Sequence, residues 1–347
     1  MFSPLFNTLL IPFIVAMFLA MTMGGSGIGP SFSAAYGANM IRKTAIPGIF
    51  GIMVFAGAII AGKNTSSTLG KDILDPSFLT YTTVTIILFS ISLSLLIANI
   101  VGVPQSTSQA TVLSVVGASI YFHQPTSNFM LTKALPTWFI LPIIAFILSY
   151  LLARFIYRPL RRRAYFMNKS EITQKYLRYA VIFSSMYVAF SIGSNNVANA
   201  AGPMASMVIN ELNLAPTGQN FLLIMIITTL MTAPVFGIGA SVMGNRVIEN
   251  TGKEIVLFGQ IEAIIIAIIT ATLLLLSSVI TGIPTSLVQL NVAAILGVGV
   301  AKLGPKNIFR KTQVNRFFVM WVIAPLIAFI LTIALLWMAN QIGILDL

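Results

Sequence analysis

Long apolar runs separated by short polar links set the pattern of this chain. Ten such runs can be marked, at 5–23, 44–62, 78–101, 104–122 and 134–157, and then at 176–192, 221–242, 255–281, 284–301 and 317–340. Each is close to the roughly 20 residues with which an α-helix crosses a bilayer core. The pattern predicts an all-α integral membrane protein with about ten membrane-crossing segments. The first run has no basic stretch before it and nine more behind it, so it reads as a first transmembrane helix rather than a cleaved leader.

The polar links fix an orientation. The most charged of them runs from Arg154 to Arg178 and contains Arg161, Arg162 and Arg163. It divides the chain into a first membrane unit, 1–157, a basic linker, 158–175, and a second membrane unit, 176–347. If the linker is cytoplasmic, counting crossings outward puts 17 of the 20 basic residues inside and leaves only Lys63, Lys71 and Lys133 outside. That is the expected bias of a multi-pass protein in a cell (inner) membrane, and it places both termini outside. The net charge of +12 is then a topology signal, and no nucleic-acid partner is expected.

Three blocks recur in order between the halves. Gly24-Gly25-Ser26-Gly27-Ile28 answers Gly193-Ser194-Asn195-Asn196-Val197, and Gly62 with Gly70-Lys71-Asp72-Ile73 answers Gly244 with Gly252-Lys253-Glu254-Ile255. Gly102-Val103-Pro104-Gln105-Ser106 answers Gly282-Ile283-Pro284-Thr285-Ser286, and the three offsets are 169, 182 and 180 residues. Five crossings per half make the second copy start on the opposite side, so the two units form inverted-topology repeats, an architecture shared by many secondary transporters.

Composition narrows the chemistry. Charged residues make up 8% of the chain and hydrophobic residues 57%, where soluble proteins carry roughly 25% charged. There is no cysteine and only one histidine, His123, in a polar link. An intramembrane enzyme needs a nucleophile with a base, or a set of metal ligands. The apolar runs hold Glu262 as their one carboxylate and no histidine, so neither an enzyme nor a bound metal or cofactor is expected. A passive anion channel is the other alternative, separated from a carrier by accumulation against a gradient.

Two features break the apolar runs with Gly, Pro and small polar residues. One is Gly24–Tyr36 with its partner Gly193–Ser206, and the other is the Gly-x-Pro-x-Ser pair at 102–106 and 282–286. Both are expected as broken helices at the midplane, since non-helical backbone at that depth must line a cavity or be buried in protein. Half-helix starts present free N–H groups that attract anions. Pro104 and Pro284 suit the first turn of such a helix, with Ser106, Thr107, Ser108 and Ser286 as hydroxyl donors beside it. Small residues that only let helices pack closely are the competing explanation.

The block Gly193-Ser194-Asn195-Asn196-Val197-Ala198-Asn199-Ala200, followed by Gly202-Pro203, resembles the Gly-Ala-Asn-Asp-Val-Ala-Asn-Ala signature of the inorganic phosphate transporter family. The Gly-x-Pro-x-Ser blocks resemble that family's second signature, Gly-Ile-Pro-Val-Ser-Thr-Thr-His, and the resemblance runs the length of the chain. It implies a secondary anion transporter, working as a homodimer. The Gly-Gly-Ser-Gly-Ile-Gly-Pro-Ser stretch is most similar to the sulfate permease branch.

The departures carry information. Gly27 and Asn196 stand where the signature has an acid, and Gln109 and Gln289 where it has His. Family phosphate carriers use sodium, for which those acids are fitting ligands, so their absence points to protons instead. Near neutral pH phosphate keeps a proton that a carboxylate can accept. Sulfate can only accept hydrogen bonds, so a site of neutral donors suits it better. The expected substrate site comprises Ser26, Gly27, Ser106, Thr107, Ser108, Asn195, Asn196, Asn199, Thr285 and Ser286. Glu262, an intramembrane carboxyl in apolar surroundings, is the expected proton-coupling residue. The expected cargo is a small inorganic anion, with sulfate placed before phosphate.

Overall fold

The apolar runs fold as helices, and no strand occurs among the described residues. The structure is a computed structural model that describes residues 4–37, 40–101, 105–125, 127–157, 171–215, 217–251, 259–310 and 312–345. The first part holds α1 (Pro4–Gly37), α2 (Ile46–Ala61), α3 (Lys63–Ser67), α4 (Tyr81–Val101), α5 (Thr107–Tyr121) and α6 (Leu135–Leu151). The second holds α7 (Glu171–Asn196), α8 (Ala198–Glu211), α9 (Gly218–Thr251), α10 (Gln260–Leu276), α11 (Leu287–Leu303), α12 (Pro305–Phe309) and α13 (Thr312–Gln341). Most of the basic linker, together with Gly102, Val103, Pro104 and Gly252–Glu254, lies outside the described residues.

Among the described residues, eight helical stretches are long and apolar enough to cross a membrane. The runs marked at 104–122 and 284–301 behave differently. They become α5 and α11, of 15 and 17 residues, about 22 and 26 Å long at 1.5 Å per residue. Both fall short of the roughly 30 Å hydrocarbon thickness. Each starts inside the protein rather than at a surface, from a buried serine.

The expected break at Gly24–Tyr36 is absent. α1 runs unbroken through Gly24, Gly25, Gly27 and Pro30. Its partner is interrupted only at Val197, between α7 and α8. The glycines serve close packing instead. A methyl group at Gly24 would overlap the carbonyl oxygen of Phe236 on α9, and one at Gly239 would overlap that of Met21 on α1. In the same way Gly193 on α7 sits against the Val54 carbonyl of α2, and Gly57 on α2 against that of Phe190. These contacts let α1 pack on α9 and α2 on α7, while α5 packs on α13 and α6 on α11. In each pair one helix precedes the basic linker and the other follows it.

The ends of the bundle sort themselves. Asn210 Nδ2 donates to the carbonyls of Pro76 (2.6 Å) and Leu79 (3.1 Å), Glu211 Oε1 accepts the N–H of Tyr81 (3.1 Å), and Thr82 Oγ1 donates to Ile344 O (3.1 Å). Ser127 Oγ joins them on Asp72 O at 2.6 Å. At the other end Arg178 Nε donates to Met40 O (2.8 Å). Contacts of Tyr187 with Thr272 (3.2 Å) and Asn195 with Ser278 (2.9 Å) make α7 and α10 parallel. Arg178 and Glu262 therefore share that second end.

Candidate anion site

The site is built on two helix starts that are alike in sequence and geometry. Ser106 and Ser286 both have extended backbones, and each caps the helix behind it. Ser106 Oγ accepts the N–H of Gln109 (3.3 Å), and Ser286 Oγ that of Gln289 (3.2 Å). The cap engages one of the four N–H groups that a helix start leaves over. The serine keeps its own hydrogen to donate elsewhere.

What brings the chain back into the interior is legible around Gly282. A wide π turn at Ser277–Thr281 ends at Gly282 in the left-handed conformation, φ +66°, with Asn64 O 3.1 Å from where a Cβ would sit. The segment Ile283–Ser286 then runs without regular secondary structure to the extended Ser286. Ser277 Oγ holds Ile283 O at 2.8 Å, and Trp138 Nε1 donates to Pro284 O at 2.9 Å. Pro284 thus lies two residues before the Ser286 cap and not in the first turn of α11, contrary to expectation; its carbonyl is the useful group. Pro104 is outside the described residues.

Between the two helix starts lies a tight cleft of about 20 Å³, room for one water rather than for a tetrahedral anion. Ser26, Gly27 and Pro30 of α1, Gln105 to Ser108, Asn196, and Thr285 to Val288 line it. Every one of these side chains is neutral. Eight of the ten expected site residues are therefore brought together here. The other two stand apart.

Asn195 is fully buried behind the cleft and works as a bracket. Its surroundings orient the amide so that Nδ2 faces Ser108 Oγ (2.8 Å), Thr285 O (2.9 Å) and Asn196 Oδ1 (3.2 Å), while Oδ1 accepts from Ser278 Oγ (2.9 Å) and Thr285 N (3.2 Å). This orientation frees the Ser108 hydrogen for the cleft. Asn199 points elsewhere, with Nδ2 3.9 Å from Met23 Sδ and Oδ1 unpartnered. Between α5 and α11 the amides of Gln109 and Gln289 bond each other reciprocally, at 3.0 and 2.9 Å.

Glu262 does not line the cleft, and it is not alone. It occupies the first turn of α10, where Oε2 accepts the Gly259 N–H at 2.6 Å and the Lys302 ammonium at 2.9 Å. Oε1 is 2.8 Å from the same ammonium. The expected carboxyl in apolar surroundings is instead a fully buried acid paired with a base 40 residues away in sequence.

The sequence profile described as the phosphate transporter family matches residues 23–332. The chain belongs to the phosphate transporter family. Sulfate permease CysP of Bacillus subtilis is 33% identical over 316 residues, which are 91% of this chain and 83% of that protein. A Thermococcus kodakarensis relative that carries phosphate permease in its name is 26% identical, over 94% of this chain and 98% of its own. A solved structure of a sodium-dependent phosphate transporter superposes with a TM-score of 0.83 over 97% of this chain and all of that one, at 21% identity. That likeness establishes the fold as a phosphate transporter fold.

Gly27 is closely surrounded, but by the ends of side chains rather than by backbone. A Cβ there would come 3.3 Å from Phe50 Cζ and 3.5 Å from Ile192 Cδ1, so a side chain fits with a small adjustment. Gln105 lines the cleft and was not among the residues singled out from sequence. It occupies a variable position of the Gly-x-Pro-x-Ser pattern, where nothing in the sequence marks it apart from the serine that follows.

Proposed function

We propose that this protein is a secondary transporter that takes up sulfate, with protons as the coupling ion. The observation that carries the reading is a cleft lined wholly by neutral groups at two capped helix starts. A dianion there meets hydroxyl hydrogens, the Asn196 amide and leftover helix N–H groups, and no carboxylate repels it. The similarity to a sulfate permease supports the same substrate. Phosphate is the second reading, favoured by the family's description and by the phosphate permease name of the archaeal relative.

In this reading the chain places about ten apolar segments in the membrane, α5 and α11 starting from its interior, in two inverted repeats, 1–157 and 176–347. The linker 158–175 is cytoplasmic and both termini are outside. The reciprocal glycine contacts support the inversion, because exchanging the halves maps α1 on α9 onto α7 on α2. The cleft lies between the repeats, and rocking of one repeat against the other opens it to each side in turn. By family resemblance the protein acts as a homodimer.

The direct test is uptake of labelled sulfate into proteoliposomes under an imposed proton or sodium gradient, with phosphate as competitor. Accumulation driven by protons supports the reading. Uptake of phosphate with sulfate ignored replaces it by the second, and a strict sodium requirement overturns the coupling. A companion variant restores the signature acids, Gly27→Asp with Asn196→Asp. It is expected to harm sulfate uptake more than phosphate uptake, because only phosphate has a proton to share with a carboxylate.

A further inference from the structure

One group in the cleft is not a donor. Gln105 is 3% exposed, and its Oε1 has no hydrogen-bond partner. Its other end explains why the amide sits this way round. Nε2 donates to Ser94 Oγ on α4 at 2.9 Å, and Ser94 Oγ donates to the Ala324 carbonyl on α13 at 2.9 Å. A serine hydroxyl owns a single hydrogen. While that hydrogen is committed to Ala324, Ser94 can accept from Gln105 but cannot donate to it. The direction of the chain from Gln105 through Ser94 to Ala324 is thus fixed, and an acceptor is left over beside the cleft.

An oxyanion without a proton finds that acceptor repulsive. Nε2 commits one of its two hydrogens to Ser94 Oγ; turning the amide over presents the whole NH2 group to the anion and brings Oε1 against Ser94 Oγ. Two oxygens cannot meet there without a hydrogen between them. The Ser94 hydrogen can supply it by rotating away from Ala324.

We propose that Gln105 is a substrate contact and Ser94 its positioning residue, together forming a two-position relay that reads occupancy of the cleft. Empty, the relay ties α4 to α13 through Ser94 and Ala324. Filled by an unprotonated oxyanion, it places Gln105 Nε2 on the anion and the Ser94 hydrogen on Gln105 Oε1, and the tie to α13 is released. This rests on the reading of the cleft as a sulfate site. A count of bonds gives its signature. In the wild type two bonds are exchanged for two, whereas without the Ser94 hydroxyl a free amide gains one. Removing a group that does not line the cleft should therefore tighten binding.

The test is calorimetric binding of sulfate and of inorganic phosphate to the purified full-length protein at neutral pH. Ser94→Ala is expected to bind sulfate roughly tenfold more tightly, about the worth of one hydrogen bond to a charged group. Ser94→Thr, which keeps the hydroxyl, is expected to return to the wild-type value. Gln105→Glu is expected to lose sulfate binding by more than about tenfold while phosphate suffers less. Sulfate binding that Ser94→Ala leaves unchanged or weakens overturns the relay, while the sulfate site itself stands on the wild-type measurement. Wild-type protein that binds phosphate and not sulfate overturns both, because the proton of phosphate fits Oε1 as it is.

Discussion

The oxygen of Ser106 accepts the Gln109 N–H, so its hydrogen is free to serve the cleft, and the two roles can be pulled apart by substitution. Ser106→Ala removes both: the expected cost is about 1 kcal/mol of stability for the cap and roughly tenfold weaker sulfate binding. Ser106→Asp retains an efficient cap but puts a negative charge into the cleft, so stability should survive while binding is lost. Thermal unfolding beside calorimetry would show this split, and equal loss of stability in both variants would remove the capping role. Glu262 calls for a different design because Lys302 faces it. Breaking a fully buried pair costs about 3–5 kcal/mol and replacing both members is often neutral; the Lys302 side chain is 24% exposed, so solvent offsets part of that cost in Glu262→Gln. If Glu262 only holds α10 to α11, the double change Glu262→Gln with Lys302→Met should restore the uptake that Glu262→Gln loses. If Glu262 carries the coupling proton, the double variant should fold well and still fail to concentrate sulfate. Sequence reading finds Glu262 but not its partner, since nothing local to position 262 announces a lysine at 302. It likewise takes Asn195 and Asn199 with Asn196 as one motif. Successive residues on a helix point in different directions, and only Asn196 reaches the cleft.

At the scale of elements, small residues prove ambiguous in a way that geometry resolves. The same glycine-rich pattern predicts a broken helix at Gly24–Tyr36 and at 282–286. Only the second breaks, because Gly282 takes a left-handed backbone and the next four residues are not helical. At Gly24 and Gly193 the backbone stays helical, and what matters is the missing side chain. Alanine is ordinarily the better helix former by about 1 kcal/mol. Here it should do harm, since its methyl would meet a carbonyl oxygen of the neighbouring helix. Gly24→Ala and Gly193→Ala are each expected to destabilise the protein by about 1–3 kcal/mol, the usual range for overpacking. At Gly48 on α2 an added methyl would find nothing within 4 Å, so Gly48→Ala is expected to be neutral or slightly stabilising. Thermal unfolding in detergent compares the three, and tolerance of alanine at 24 and 193 would mean that the helix pairs can separate at little cost. The lengths of α5 and α11 are the other point beyond sequence reading. An apolar run does not say where within it the first helical turn begins, and here the serine caps decide that.

For the whole molecule, the open matter is which end faces the cytoplasm, and charge supplies the argument. The structure gathers residues 72–82, 127, 210–211 and 344 at one end and Met40, Arg178, Glu262 and Lys302 at the other. Of the described basic residues, Lys63, Lys71 and Lys133 belong to links at the first end. Arg42, Lys43, Lys306 and Arg310 belong with the second, which also leads into the basic linker. Basic residues near membrane crossings stay predominantly on the cytoplasmic side, so the second end should be inside. The chain has no cysteine of its own, which makes the measurement clean. A single cysteine at position 63, introduced as Lys63→Cys, should react in intact cells with a charged thiol reagent that cannot cross the membrane. Arg162→Cys should react only after the membrane is permeabilised. The opposite pattern would reverse the orientation of the whole transporter while leaving the pairing of helices across the linker untouched. That pairing depends on which backbone touches which, whereas orientation depends only on where the charge lies. The two conclusions therefore stand or fall separately.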